Sequence, residues 1–328
     1  MIPEAKQTAV ANALQAAFGV SEFEEIRQLT VGLSSALIYR IVVQGKPYLL
    51  RVITRTDAMS DPTHFYNCMK PAAEAGIAPQ IWHAGIDDRI SITDFIEAKA
   101  FPIQEARIKL PLVLKRLHSL PPFPSRINYL DFANSSIRKF YAANLLPENI
   151  TGQMFRQYER IASVYPRNND DLVASHNDLK PDNILFDGNR VWLVDWESAF
   201  LNDRYLDLSV IANFVVMDDN DETEYLKRYF GDDFTEYRQA RFFLMRQLLH
   251  MIYFAFFMSL STAGGMPVDL TMAKPDFREF HDRLWEGKIY LLDTFAQQQY
   301  AWVHLEQLQH NLLLPRFEEA LRIVGDQS

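Results

Sequence analysis

The chain has 328 residues, 48% of them hydrophobic and 23% charged, enough to bury a sizeable core and to form two lobes. Its formal net charge of −9 speaks against nucleic-acid binding, which draws on surplus Lys and Arg. A single cysteine, Cys68, excludes an intramolecular disulfide and reads as a small buried thiol on a helix.

Met1 to Thr8 lack the basic and apolar regions of a secretory signal, which sets a cytoplasmic expectation. Residues 4–18, with Val10, Leu14 and Phe18 at helical spacing, predict an amphipathic helix that Gly19 ends. Ile26 to Val43 read as strand, short turn and strand, with Gly32, Ser34 and Ser35 in the turn. Such a turn lets backbone amides and small hydroxyls approach phosphates, although one glycine also suits an ordinary hairpin. Gln44-Gly45-Lys46 leads into a third strand, Pro47 to Ile53. Arg51 lies mid-strand among apolar residues and needs a partner for its charge. A phosphate is one choice; a side chain of the next helix, 61–75, is another, with His64 and Glu74 the candidates. Gly76-Ile77-Ala78-Pro79 closes that helix, and strands near Gln80 to His83 and Ile90 to Asp94 follow. A linker, Phe95 to Pro102, sets a boundary near residue 97 and divides the chain into 1–97 and 98–328.

The rest reads as mainly helical, at about 103–119, 134–165, 206–217, 234–261, 274–297 and 299–325. Leu248 to Leu260 is apolar, but it is short and carries His250, with Arg246 and Gln247 just before it. A buried helix, and no membrane span, is expected. The acidic residues Asp218, Asp219, Asp221, Glu222 and Glu224 read as a solvated loop and helix start, with a cation-binding rim as the alternative.

The chemistry concentrates in Ser175 to Phe186 and Val194-Asp195-Trp196-Glu197. Asp178, Asn183 five residues later and Asp195 twelve beyond that form a phosphoryl-transfer constellation. One carboxylate takes a hydroxyl proton, while an amide oxygen and a second carboxylate hold Mg²⁺ against a nucleotide's phosphates. Two short strands, Ile184 to Phe186 and Val191 to Val194, joined at Asp187-Gly188-Asn189, bring Asn183 and Asp195 to one end.

These pieces, in this order over residues 25–215, resemble the aminoglycoside phosphotransferase and choline kinase superfamily, small-molecule relatives of protein kinases. The set comprises Gly32-Leu33-Ser34-Ser35, Leu50-Arg51-Val52, Gly76 to Pro79, Phe95-Ile96-Glu97 and Leu117-His118. It continues with His176-Asn177-Asp178-Leu179, Asn183, Asp195-Trp196-Glu197, Asn202-Asp203 and Asp207-Leu208. The resemblance implies an α+β, bilobal protein-kinase-like fold. A small antiparallel β-sheet lobe with a helix binds nucleotide, and a larger, mainly helical lobe carries catalysis and substrate binding. It implies ATP and Mg²⁺ as cofactors and a small-molecule substrate hydroxyl, a cationic one among the options, with a monomer or homodimer as the assembly. Asp178 would take the hydroxyl proton, Asn183 and Asp195 the metal, and Lys180 the transferred phosphate. Arg51, Ser34 and Ser35 would meet phosphates, and Asp94, Phe95 and Ile96 the adenine. His176 would brace the catalytic loop and Asp207 would anchor it.

No activation segment ending in Ala-Pro-Glu follows Asp195, which argues against a protein substrate. A choline-like acceptor would want an aromatic cage, for which Tyr253, Phe254, Phe256, Phe257, Trp285 and Tyr290 are available, though such spacing also suits core. An aminoglycoside would want the acidic rim at 218–224. The alternative function is a catalytically silent nucleotide-binding protein of the same fold.

Overall fold

The computed structural model describes residues 2–29, 36–57, 61–167 and 170–327. Its elements begin α1 (Glu4–Phe18), β1 (Glu25–Leu29), β2 (Ala36–Val43), β3 (Lys46–Ile53), α2 (Thr63–Glu74), β4 (Ile81–Gly85) and β5 (Ile90–Asp94). Then come α3 (Ile103–Leu117), α4 (Tyr129–Ala142), α5 (Glu148–Val164), β6 (Leu172–Ser175), β7 (Ile184–Phe186), β8 (Val191–Leu193) and β9 (Phe200–Asp203). The chain finishes with α6 (Arg204–Val215), α7 (Asp219–Phe230), α8 (Glu236–Ala263), α9 (Phe277–Trp285), α10 (Thr294–Leu312) and α11 (Pro315–Gly325). This is the α+β arrangement expected, an N-terminal antiparallel sheet followed by a mainly helical part. Two compact units result: Met1–Ala100 with Leu120–Pro124 and Asp182–Ala199, and Phe101–Ser119 with Ser125–Pro181 and Phe200–Ser328. The hairpin β7–β8 therefore groups with the N-terminal sheet.

In the first unit, α1 buries Val10, Ala13 and Leu14 and ends at Gly19, whose φ of 74° glycine adopts without steric cost. The strands form one antiparallel sheet of order β1-β2-β3-β5-β4. Tyr39, Ile41, Leu50, Val52, Ile90 and Ile92 alternate inward along β2, β3 and β5 and pack with Val10 and Leu14 as the core. The register sets Arg51 opposite Ile38 on one side and Ser91 on the other.

The second unit is built on α8, against which α4, α5, α6, α10 and α11 pack. At 28 residues α8 is long and apolar enough to cross a membrane, yet 67% of its most apolar window is buried inside the chain. Three long helices expected from the sequence are each interrupted. The stretch 134–165 is α4 and α5, separated where Asn144 takes φ 48° and Pro147 precedes the new helix. The stretch 274–297 stops after α9, where Gly287 turns at φ 67°, and resumes at α10 with Asp293 as its cap. The stretch 299–325 divides before Pro315, which has no amide to donate and therefore starts α11. Apolar periodicity runs across the breaks at Asn144–Pro147 and Pro315 because both pieces face α8.

The acidic run opens α7, with Asp218 capping it through the Asp221 amide. It is less solvated than expected. Glu222 is buried and bonded to Arg246 and Arg316, and Asp221 pairs with Arg107.

Candidate active site

The hairpin β7–β8 pairs Ile184 with Leu193 and Phe186 with Val191. Asp187 Oδ1 closes its turn by accepting from the Asn189 and Arg190 amides at 2.8 and 2.7 Å, and Gly188 takes φ 97°. At the other end the Val194 amide donates to the Asn183 carbonyl at 3.0 Å, so Asn183 and Asp195 leave the hairpin side by side. The Leu193 amide donates to the Ile77 carbonyl at 2.7 Å and fastens the hairpin to the turn after α2. Asn183 is buried, and Asp195 holds the left-handed backbone, φ 65° and ψ 70°. An amide oxygen and a carboxylate are the hard donors Mg²⁺ accepts beside phosphate and water oxygens, so the pair fits that ion. Among the described residues, no three His, Cys, Asp or Glu side chains assemble into a metal site.

Arg51, 8% exposed on β3, donates through Nη2 to Glu197 Oε1, in the turn that follows Asp195. Its guanidinium also lies 4.7 Å from the centre of the Phe65 ring. Neither expected helix partner serves. His64 Nε2 instead bonds the Ala199 carbonyl at 2.6 Å, and Glu74 is exposed. The face of α2 turned to β3 presents Phe65, so the counter-charge comes from Glu197. Cys68, buried as expected, reaches the same Ala199 carbonyl at 3.4 Å. Together these contacts bind α2 and β3 to the segment 195–199.

In the second unit, β6 pairs with β9 and delivers the chain to Asp178. Asp207 on α6, fully buried, accepts from the His176 and Asn177 amides, each at 2.8 Å, and sits 3.2 Å from His118 Nε2. Burial alone would raise its carboxyl, but the His118 hydrogen bond and charge, with His176, outweigh that and hold it below the ordinary range. Asn177, at φ 65°, accepts from Asn202 Nδ2 at 2.7 Å and donates to the Ser175 and Phe200 carbonyls at 3.3 Å. The loop before Asp178 is thus held by Asp207, Asn202 and β9. Asp178 itself keeps a side-chain exposure of 36%, with Lys180 Nζ 3.1 Å from its Oδ2. Tyr253 of α8 lies within the field of Asp178 and Asp207. Burial first, and those charges second, push its phenol upward, so it remains a donor.

The other sequence-derived candidates separate. Asp94, at the end of β5, accepts from Trp82 Nε1 at 2.8 Å, Arg40 stands 5.5 Å from the Phe95 ring, and Ile96 is half-buried. Gly32, Ser34 and Ser35 lie outside the described residues. The six aromatics do not gather into one cage. Phe254 is core, Trp285 packs on Phe101 and Phe214, and Phe256 and Tyr290 are exposed. Tyr253, Phe257 and Tyr300, with centroids 4.9 to 5.9 Å apart, do form one aromatic group. Tyr300 was missed because its α10 pattern reads as core, and Glu197 because its partner is 146 residues away.

Solved structures with this fold include a choline/ethanolamine kinase family protein from Mesorhizobium loti. It is 19% identical with a TM-score of 0.66, and the match covers 98% of this chain and 99% of that one. A choline kinase from Cryptosporidium parvum is 10% identical with a TM-score of 0.65, covering 97% and 98%. A spectinomycin phosphotransferase in complex with ADP and spectinomycin is 15% identical with a TM-score of 0.55, covering 89% and 98%. No curated protein matches the chain. The APH profile, which describes the phosphotransferase enzyme family, matches residues 25–243, well over half the length. The chain therefore belongs to the APH phosphotransferase enzyme family.

Proposed function

We propose that this phosphotransferase uses ATP with Mg²⁺ and transfers the γ-phosphate to a hydroxyl of a small molecule. The observation that carries the reading is the Val194–Asn183 backbone bond, which sets an amide and a carboxylate at one hairpin end, five residues after Asp178. Asn183 and Asp195 would hold Mg²⁺, which supplies charge neutralisation at the phosphate oxygens. Arg51, aimed by Glu197, offers a fixed fork to the phosphates. The substrate hydroxyl attacks the γ-phosphorus, its proton passes to Asp178, the bond from that phosphorus to the bridging oxygen breaks, and ADP leaves. Lys180 steadies charge on the transferred group from beside Asp178. Catalysis is then mostly positioning and electrostatics.

For the acceptor, Asp221 and Glu222 of the acidic run are already paired with Arg107, Arg246 and Arg316, and α8 and α10 bring the rings of Tyr253, Phe257 and Tyr300 together. A small amino alcohol of the choline or ethanolamine kind suits this better than an aminoglycoside. The test is ATP consumption against choline, ethanolamine, amino sugars, aminoglycosides and hydroxy amino acids, with wild type and Asp178→Asn. The variant is expected to lose transfer by at least a hundredfold while binding nucleotide nearly as before. Normal turnover in Asp178→Asn would sink the assignment. Tight ATP binding with no turnover on any acceptor would favour a silent nucleotide-binding protein.

A further inference from the structure

The two edges of the first unit's sheet differ. The β4 edge is irregular, its register slipping between Ile81 and His83, and α1 packs beside it. The β1 edge is regular through all its pairs with β2, from Glu25–Val42 to Leu29–Ile38. Glu25, Ile26, Arg27 and Gln28 are all exposed there, Ile26 at 37%, and β1 contains neither proline nor glycine. Among the described residues no strand covers this edge; its five-residue length and its charged Glu25 and Arg27 restrict pairing to a strand whose charges complement them.

The surroundings of Ile26 specify which strand. On the α1 side, Ile26 borders an open apolar notch of about 350 Å³ with Ile2, Val10, Leu14 and Phe23. On the opposite side, Glu25 and Arg27 border a polar recess with Arg40 and Glu97, in which Arg40 lies 3.9 Å from Glu25 and 3.8 Å from Glu97. We infer that β1 pairs antiparallel with β1 of a second copy, with Ile26 on the two-fold axis.

The register follows from charge. Residues facing each other across an antiparallel pair share one side of the sheet. Centring on Arg27 sets arginine against arginine, and centring on Glu25 sets glutamate against glutamate. Centring on Ile26 sets Ile26 on Ile26 over the apolar notches and makes two Glu25–Arg27 pairs on the opposite side. Only this register satisfies both sides of the strand at once. A pairing this short buries less than a standard interface, so the dimer is weak and concentration-dependent.

Sedimentation of the full chain over a hundredfold range of concentration is expected to move from monomer to dimer. Ile26→Lys should remain monomeric at concentrations where wild type is half dimeric, with circular dichroism unchanged because the side chain is exposed. The register has its own test. The Cα atoms of facing residues lie roughly 4.5 to 5.5 Å apart, within disulfide reach. Ile26→Cys should therefore crosslink between copies under mild oxidation, while Arg27→Cys should not, and Cys68 is buried and does not interfere. A monomer at every concentration, a dimer that survives Ile26→Lys, or crosslinking through position 27 in place of 26 would each overturn the inference.

Discussion

Arg51 shows what a single residue reveals and what it withholds. A guanidinium among apolar neighbours on a strand must have a partner, and that demand was legible from the sequence. The identity of the partner was not, because helical phase turns Phe65 toward β3 and leaves the charge to a residue 146 positions later. On the proposed function, Glu197 would be a positioning residue that acts through Arg51. Glu197→Gln should raise KM for ATP roughly tenfold, the scale of one hydrogen bond to a charged group, with kcat changed less. Steady-state kinetics that leave KM(ATP) at the wild-type value would remove this role. The anchoring role of Asp207 came from the family resemblance, not from its own surroundings in the sequence. Its bonds to the His176 and Asn177 amides bear that out.

At the scale of elements, the hairpin β7–β8 could be read almost residue by residue, because the Asp187-Gly188-Asn189 turn chemistry and strand composition agree. The helical part was read too long, for periodicity does not register the breaks at Asn144–Pro147 and Pro315, where the pieces on either side face α8. The same crowding around α8, α9 and α10 creates a pH dependence. His250, His281 and His304 are buried among Tyr253, Phe277 and Tyr300, with His250 Nδ1 2.8 Å from His304 Nδ1. Burial first depresses all three, His281 to about 3 and the other two well below their ordinary value. The unfolded chain therefore binds more protons once pH falls below about 6.5. Stability contributed by the neutral histidines is complete above that pH and declines as pH drops toward 3. The expected slope is about 1.4 kcal/mol per pH unit for each histidine. Urea unfolding at pH 7.5, 6 and 5 measures it, and His281→Phe should make the dependence shallower by about one histidine's share. An unchanged slope would show that His281 does not contribute.

For the whole molecule, the family was legible because its motifs are ordered along residues 25–215, and the profile match over 25–243 agrees. The acceptor was not, since the ordered motifs end near Asp207 and the helices after it show packing in their sequence but no ligand. Ligand linkage gives a global readout of the metal pair. ATP with Mg²⁺ at a hundred times Kd should stabilise the fold by about 2.7 kcal/mol, and Asp195→Ala should abolish the Mg²⁺-dependent part. A melting shift in that variant equal to wild type would exclude Asp195 from the metal site. The molecule holds Asn177 and Asp195, on either side of Asp178 and Asn183 in the chain, in the left-handed region at φ 65°. Strain of that kind costs about 1–3 kcal/mol per residue, against a total stability of roughly 5–15 kcal/mol. Glycine would relax either position but carries no side-chain oxygen to offer a metal or a neighbouring amide. On the proposed function, stability and chemistry thus pull in opposite directions at Asp195, and a lineage released from the need for Mg²⁺ would be expected to lose that aspartate, while Asn177 stays for its bonds to Asn202, Ser175 and Phe200.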